Sequence, residues 1–311
     1  MTATEAPEMV SVIIPSFDRF DRLMACVESV MRASPRPPGG VQAVVVTSTY
    51  DSAQLDQLEM KSVSIVRLSN RSFVSESRNA GAAVAHGDYL LFVDDDNVLG
   101  GDAIWRLWQA LQQWRDAVLV GPVMYYGSAP TRVWCAGVVR SPLLMKTSLV
   151  TQLPVPLPER LPSEDFPNCF MVRREDFNRV GGFDVRHFPQ HMEEGDLARR
   201  LVRMTGQQVF CVPQAQVWHF IDATFLRRLH VPDRERAYWA ARSRAVFVAT
   251  YGSGLQWLAF LVAGQWALAA LYLGAILSQS SHGRRALSVA YLRGMISGLR
   301  LGVVARGAAR I

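Results

Sequence analysis

Between residues 9 and 120 the chain alternates short β-branched runs with helix-length segments, and this alternation constrains the fold more than any other feature. MVSVII is followed by a helical pattern over Phe20 to Arg32, VQAVVV by Ser52 to Met60, VSIVRL by Val74 to His86, and DYLLFV by Ala103 to Trp114. AVLVG then reads as a further strand. Apolar runs without a polar face belong to strands covered on both sides, and strands separated by single helices pair in parallel through right-handed crossovers. The expectation is an α/β fold with a mostly parallel sheet flanked by helices. Ligands of such sheets lie beyond the carboxyl ends of the strands. That edge carries Pro15-Ser16-Phe17-Asp18, Thr47-Ser48 and Asp94-Asp95-Asp96-Asn97.

The turn after the first strand has no G-x-G-x-x-G, and the chain has no G-x-x-x-x-G-K-[ST], which argues against dinucleotide dehydrogenases and P-loop kinases. From Pro122 to Pro167 periodicity weakens and prolines gather, as in a long irregular segment over a site. Order resumes in CFMVRREDFNRVGGFD, a strand, a short helix and a turn at Gly181-Gly182. A helix over Glu193 to Met204, strands in QVFCV and AQVWHF, and an Arg-rich helix over Asp233 to Tyr251 follow. Cys26, Cys135, Cys169 and Cys211 form no C-x-x-C pair, so neither a zinc ribbon nor a disulfide framework is expected, and free cytosolic thiols fit. Residues 1–8 are polar and hold two glutamates, so no export leader is expected.

Half of the residues are apolar and 19% are charged, which excludes intrinsic disorder and leans toward a membrane. The net charge of +6 is concentrated at one end: residues 282 to 311 hold six arginines and no acid. A neutral body with a basic, apolar end points to anionic lipid head groups rather than to nucleic acid. Leu255 to Leu277 gives 23 residues without a charge, enough to cross a hydrocarbon core of about 30 Å. Gly264 and Gly274 interrupt it, and arginines flank both ends (Arg242 and Arg244, Arg284 and Arg285), so charge gives no orientation. In Ala286 to Ala305, Arg293 and Arg300 fall on one face of an apolar helix, as in a helix lying in the interface. The expected organisation is a body over 1–245 and a membrane-associating helical C-terminus over 246–311. A monotopic or re-entrant seat is favoured over a single span, with a buried core or dimer helix as the alternative.

Three carboxylates follow the strand in LLFVDDDN. In extended chain Asp94 and Asp96 share one face, offering two hard oxygen ligands of the kind that hold Mg²⁺ or Mn²⁺ against a diphosphate. An acidic turn or helix cap is the alternative. His219, closing the strand in VWHF, could add an imidazole and tilt preference toward Mn²⁺, or could simply be packed. In EEGDLARRL, helical spacing aligns Glu194 with Leu197, Ala198 and Leu201 on the buried face and turns Glu193 toward Asp196 and Arg200. An inward carboxylate in a first helical turn suits a general base, although acids are ordinary in that position.

Taken together, VSVIIPSFDR, SESRNAGAAVAHGDYLLFVDDDN, CFMVRREDFNRVGGFD and EEGDLARRL resemble the family 2 glycosyltransferases with the GT-A fold. VWHF and YLRGMISGLRLG are similar to the subgroup containing bacterial rhamnosyltransferases. The resemblance implies an inverting, metal-dependent transfer of a sugar from a nucleotide-diphosphate donor, UDP- or dTDP-linked, to a hydroxyl of a lipid-linked or cell-surface glycan. The cytoplasmic face of the membrane is the implied location. By matching position, Asp94 and Asp96 form the Asp-x-Asp pair for donor and metal, with His219 as a further ligand and Mn²⁺ or Mg²⁺ as the ion. Pro15, Ser16, Asp18 and Asp95 line the donor pocket, Arg78 and Asn79 lie beside the nucleotide or diphosphate, Glu194 is the base, and Glu193 and Asp196 stand on the acceptor side.

One departure stands out. After the second strand the family usually carries an aspartate that reads the nucleotide base, whereas this chain runs into Thr47-Ser48-Thr49, and Asp51 comes too late to replace it. Hydroxyls at Thr47 or Ser48 could serve a pyrimidine edge instead. The departure motivates one alternative, a catalytically silent relative that binds a glycan or scaffolds a membrane complex. A sugar-phosphate nucleotidyltransferase is disfavoured because IPSFDRF is not a glycine-rich phosphate loop.

Overall fold

Every residue of the first strand, β1 (Val10–Pro15), is buried, which is what VSVII requires of a strand in the middle of a covered sheet. The computed structural model describes residues 7–221, 233–278 and 283–308, the side chains of 305, 307 and 308 excepted. Arg310 of the basic tail lies outside them. Strands β2 (Val41–Thr47), β3 (Ser64–Arg67) and β4 (Tyr89–Val93) follow, separated by helices α1 (Phe20–Met31), α2 (Ser52–Glu59) and α3 (Val74–Ala83). β1 pairs in parallel with both β2 and β4, and β2 with β3, so the strands lie in the order β3-β2-β1-β4. The direction of sheet growth reverses between β1 and β4, and the crevice beyond their carboxyl ends is where such sheets bind ligands.

The second half of the sheet departs from a parallel reading. After β5 (Asn97–Leu99), α4 (Ala103–Gln113), β6 (Ala117–Tyr126), β7 (Ala129–Cys135), β8 (Val138–Arg140), β9 (Thr147–Leu149) and β10 (Leu161–Ser163) comes β11 (Cys169–Arg173). β11 lies antiparallel to both β4 and β6, and is followed by α5 (Arg174–Arg179), α6 (Glu193–Thr205) and β12 (Gln208–His219). β12 returns in parallel beside β6, with β10 antiparallel on its other side. The segment 122–167, expected to be irregular, is thus largely strand: β6 runs on to Tyr126 and folds back into β7. Pro122 is tolerated inside β6 because it pairs with Val212 just before a bulge, and the next pair is Val123 with Gln216. A proline without an N–H fits beside such an irregularity. The same bulge, around Pro213, joins QVFCV and AQVWHF into one strand.

The chain divides into two compact units, and not at residue 245. One comprises Met1–Val139, Leu149–Asp184 and Leu197–Ile221; the other comprises Arg140–Ser148, Val185–Asp196 and Asp222–Ile311. The core of the first includes β1, β2 and β4 and the ring cluster of Phe92 with Phe170, Phe177 and Phe183, at centroid distances of 5.3, 5.2 and 5.1 Å.

The second unit contains α7 (Arg234–Tyr251), α8 (Gly254–Ala259), a π-helical turn (Phe260–Gly264), α9 (Gln265–Ser278) and α10 (Arg284–Ala308). Asp233 caps α7, its Oδ1 accepting from the N–H of Arg236 at 2.8 Å, and a Ser253–Gln256 capping box starts α8. α10 packs along α7 through Gly294, Gly298 and Gly302, spaced four apart. A Cβ at Gly298 would lie 2.6 Å from the carbonyl oxygen of Arg242, and one at Gly302 2.8 Å from the Ala249 Cβ. Facing them, Ala237, Ala241, Ala245 and Ala249 are buried. Small residues at this spacing let two helix backbones approach closely.

Two helical stretches, Gly254–Ser278 and Arg284–Val304, are long and apolar enough to cross a membrane, with mean hydropathies of 1.8 and 1.3. On the first, Leu255, Leu258, Val262 and Trp266 are all more than half exposed and recur along one face. The close approach of α10 to α7 yields a test. Gly298→Val is expected to destabilise the helical unit by about 1–3 kcal/mol, the usual range for overpacking, and to lower the midpoint of thermal unfolding followed by circular dichroism. Gly274→Ala, inside a helix at a position where an added Cβ meets nothing, is expected to stabilise by up to about 1 kcal/mol and so not to lower that midpoint.

Candidate active site

The acidic run begins where β4 ends, and it is a turn rather than extended chain. Both the backbone N–H and the side-chain amide of Asn97 donate to the carbonyl of Asp94 at 3.1 Å. Asp94 is anchored by its N–H to the Asn168 carbonyl, and the Asp96 carbonyl accepts from the N–H of Phe220. Asp94 and Asp96 therefore do not share a face by strand alternation. Asp94 takes an ion pair from Arg78 at 2.9 Å, and Asp96 one from Arg19 at 2.5 Å. Asp95 also pairs with Arg19, and its second oxygen accepts from the Ser16 hydroxyl at 2.5 Å. Ser16 lies just past β1 and is itself 2.5 Å from the Tyr50 hydroxyl, giving a chain Tyr50–Ser16–Asp95 across the switch point.

β5 explains how His219 reaches this turn. It begins at Asn97 and pairs antiparallel with the end of β12, so that His219 stands opposite Asn97. His219 Nε2 lies 3.3 Å from Asp96 Oδ1 and 3.3 Å from the Asn168 side-chain amide, with Trp134 edge-on to the ring at 4.3 Å. The expected association of His219 with Asp96 is present. The expected three-ligand set is not assembled: among the described residues no three His, Cys, Asp or Glu side chains converge as a cation would need. The donor chemistry nevertheless fits a divalent cation. Asp96 and His219 supply a carboxylate and an imidazole at one point, Asp96 Oδ1 is buried without a hydrogen bond, and Asp94 is the most open carboxylate of the three. Two guanidiniums, of Arg78 and Arg19, pair with these carboxylates.

The remaining donor-side candidates divide. Ser16 and Asp95 join the carboxylate network, Pro15 is buried behind it, and Asp18 stands exposed, paired with Arg71 at 3.4 Å. Thr47 is buried, and Ser48 presents a buried hydroxyl without a hydrogen bond beside it. Arg78 and Asn79 both contact other parts of the fold. Arg78 is fully buried, with Phe170 and Phe183 at 5.9 and 5.4 Å, where its role is to fix Asp94. Asn79 uses both ends of its amide on the N–H and carbonyl of Phe183, each at 2.9 Å, clasping the turn after Gly181 and Gly182. Both glycines have positive φ, 77° and 70°, which explains their presence there.

Burial sets the electrostatics of the turn. It pushes the Asp95 carboxyl up to about 7, against the opposing pull of Arg19 and Ser16. Burial also disfavours charge on Asp96, but the adjoining imidazole and Arg19 outweigh it and hold that carboxyl down at about 2. Neighbouring carboxylates are thus driven apart, one toward the neutral form and one firmly ionised.

Glu193, Glu194 and Asp196 open α6, and their burial is not the expected one. Glu193 and Asp196 are buried at 6% and 2% exposure, whereas Glu194 is half-buried. The helical-face argument fails because the first turn of α6 is covered by polar partners rather than by a core: Asp196 accepts from the Tyr251 hydroxyl at 2.5 Å. α7 also holds the approach to this turn. Arg242 donates to the carbonyls of His187 and Arg186 at 2.7 and 3.3 Å, and Ser243 donates to that of Gln190 at 2.9 Å. Immediately before Glu193, His191 and Met192 both take left-handed backbone conformations, φ 64° and 65°. Two consecutive non-glycine residues in that region persist only where surroundings impose them, and such strain gathers at functional sites.

The family model described as Glycosyl transferase family 2 matches residues 11–181, more than half of the chain. The chain belongs to that family. Glycosyltransferase GlyG of Streptococcus pneumoniae is 26% identical over 124 residues, covering 38% of this chain and 40% of that protein. The N-acetylglucosaminyl-diphospho-decaprenol L-rhamnosyltransferase of Mycobacterium tuberculosis is 37% identical over 90 residues, 28% of this chain and 26% of its own length. The match thus spans less than half of each of these relatives. Among solved structures, the mannosyltransferase PcManGT of Pyrobaculum calidifontis, in complex with GDP-Man and Mn²⁺, superposes with a TM-score of 0.57 over 98% of this chain and 87% of that one, at 17% identity. The fold is GT-A.

Arg19 and Tyr50 are the residues of this glycosyltransferase-family site that sequence reasoning passed over. The one available signal was position: Arg19 lies in the turn between the carboxyl end of β1 and the start of α1. The titration of Asp95 gives a test. Its carboxyl lies at about 7 in the fold against an ordinary 3.8, so the stability it contributes is complete below pH 3.8 and is lost as pH rises through about 7. In metal-free buffer, Asp95→Asn is expected to flatten the fall in unfolding free energy between about pH 4 and 7, measured by urea denaturation at a series of pH values.

Proposed function

We propose that this family 2 member transfers a sugar from a nucleotide-diphosphate donor to an acceptor hydroxyl, with inversion, at the cytoplasmic face of a membrane. The observation that carries the reading is the carboxylate turn at the β1/β4 switch point, within the family match, with His219 brought beside Asp96 by β5 and β12. The donor is a UDP- or dTDP-sugar, and its base is read by the hydroxyls of Thr47 and Ser48 in the absence of an acid. The acceptor is a lipid-linked or cell-surface glycan.

Asp96 and His219 would hold Mn²⁺ or Mg²⁺, which when bound supplies positive charge to the departing diphosphate. Arg78 fixes the aim of Asp94 through their ion pair. Ser16 and Asp95 brace the wall of the nucleotide pocket. Glu194, half-buried and near the positive end of α6, takes the proton of the acceptor hydroxyl as it attacks the face of the sugar opposite the diphosphate. Glu193 and Asp196 hold the acceptor side of that helical turn, Asp196 through Tyr251. The exposed apolar face of Leu255, Leu258, Val262 and Trp266, with the arginines of α10, seats the helical unit on anionic lipid.

Calorimetric titration with UDP, dTDP and GDP, with and without Mn²⁺, tests the donor side without knowledge of the acceptor. Metal-dependent binding of one nucleotide, lost in Asp96→Ala, is expected; binding of none of them favours the silent relative suggested by Thr47 and Ser48. Glu194→Gln is expected to retain nucleotide binding and to lower transfer to an identified acceptor by about 100-fold or more. Full transfer by that variant removes the base assignment. Flotation with vesicles checks the membrane seat: the protein is expected to float with anionic vesicles and far less with neutral ones, most of the difference being lost at high salt.

A further inference from the structure

Three consecutive carboxylates, two of them under 10% exposed, need positive charge nearby, and the chain itself provides it from two arginines of different character. Arg78 is fully buried beside Phe170 and Phe183 and is fixed on Asp94. Arg19 stands at the mouth. It precedes α1 at the cap position, its side chain is 44% exposed, and its two terminal nitrogens are divided between Asp95 and Asp96. The oxygen it takes from Asp96 belongs to the carboxylate that also faces His219, whose Nδ1 is buried without a hydrogen bond. A divalent cation at Asp96 and Arg19 on Asp96 therefore compete for one charge.

We propose that Arg19 is a built-in counter-cation that occupies the carboxylate turn when no metal is bound and transfers to the diphosphate when metal and nucleotide enter together. The inference rests on the metal-dependent reading above and goes beyond it, by making one side chain the coupling between two ligands. With cation alone, Arg19 gives up its share of Asp96 and is left with Asp95 only. With a nucleoside diphosphate present, the released guanidinium meets phosphate oxygens, which its planar fork of donors suits better than any other side chain. Each ligand then strengthens the other by the same factor, as linkage requires. A half-exposed arginine can play this part because it leaves without uncovering a core, whereas fully buried Arg78 cannot.

The experiment is a titration of Mn²⁺ into the full chain, read by the paramagnetic resonance of free Mn²⁺ and by calorimetry, with no nucleotide and then with saturating UDP, dTDP or GDP. Wild type, Arg19→Gln and Arg19→Lys are compared, each shown to be folded by its thermal transition. Arg19→Gln is expected to bind Mn²⁺ alone roughly tenfold more tightly than wild type, the range of close charge pairs, and to lose most of the enhancement that nucleotide confers. Arg19→Lys, which keeps the charge but cannot span both carboxylates, is expected to fall between. Equal Mn²⁺ affinity and equal nucleotide enhancement in all three proteins overturn the role of Arg19 and leave the metal reading standing. No Mn²⁺ binding by wild type or Arg19→Gln, with every nucleotide, overturns the metal reading and the proposal with it.

Discussion

The charge compensation of Asp94, Asp95 and Asp96 is the constraint on which the rest of the first unit's site depends. Carboxylates crowded into one turn at the end of a buried strand cannot all remain ionised without partners. The fold answers with an arginine inside the core, an arginine at the rim, an imidazole from a distant strand and a serine hydroxyl. Each partner arrives on a different element: α3 for Arg78, the start of α1 for Arg19, the end of β12 for His219 and the end of β1 for Ser16. The turn is therefore a junction that the sheet topology must assemble correctly, and antiparallel β11, wedged between β4 and β6, sets the spacing of its two halves.

The two arginines show how burial divides similar side chains between roles. Inside the aromatic cluster Arg78 has no water to fall back on, so its attachment to Asp94 is permanent and its contribution is positional. Arg19, with its side chain 44% exposed, has water beside it to take the place of its carboxylates. The same logic separates the carboxylates. Asp96 is kept ionised by an imidazole and a guanidinium together, while Asp95, with burial prevailing, is held near neutrality. Acid–base character in this site is written by surroundings rather than by residue type.

The helical unit follows a different principle. Its packing of α10 on α7 rests on glycines and alanines that allow backbone approach, and along α8 and α9 Trp257, Tyr272 and Ile276 are buried while Leu255, Leu258, Val262 and Trp266 are exposed.

Much of this was legible in the sequence. Local patterns placed β1 to β4 with their helices, the acidic run at the end of β4 and the C-terminal apolar stretch, because each is a matter of period and composition within a dozen residues, but read that run as extended chain where the structure makes a turn. What they could not reach were contacts made at long range. Nothing local says that β11 runs antiparallel, that Pro122 and Pro213 sit beside one bulge, or that Glu193 and Asp196 are buried more deeply than Glu194, Asp196 against Tyr251 of α7. Nor does spacing show that Arg78 belongs to the core while Arg19 bridges Asp95 and Asp96. The sequence by itself determined which chemical groups this protein owns and on which strand ends they stand. Only the tertiary structure decided which of them face one another and at what depth, because charge, burial and metal-binding capacity are properties of a side chain's neighbours and not of its place in the chain.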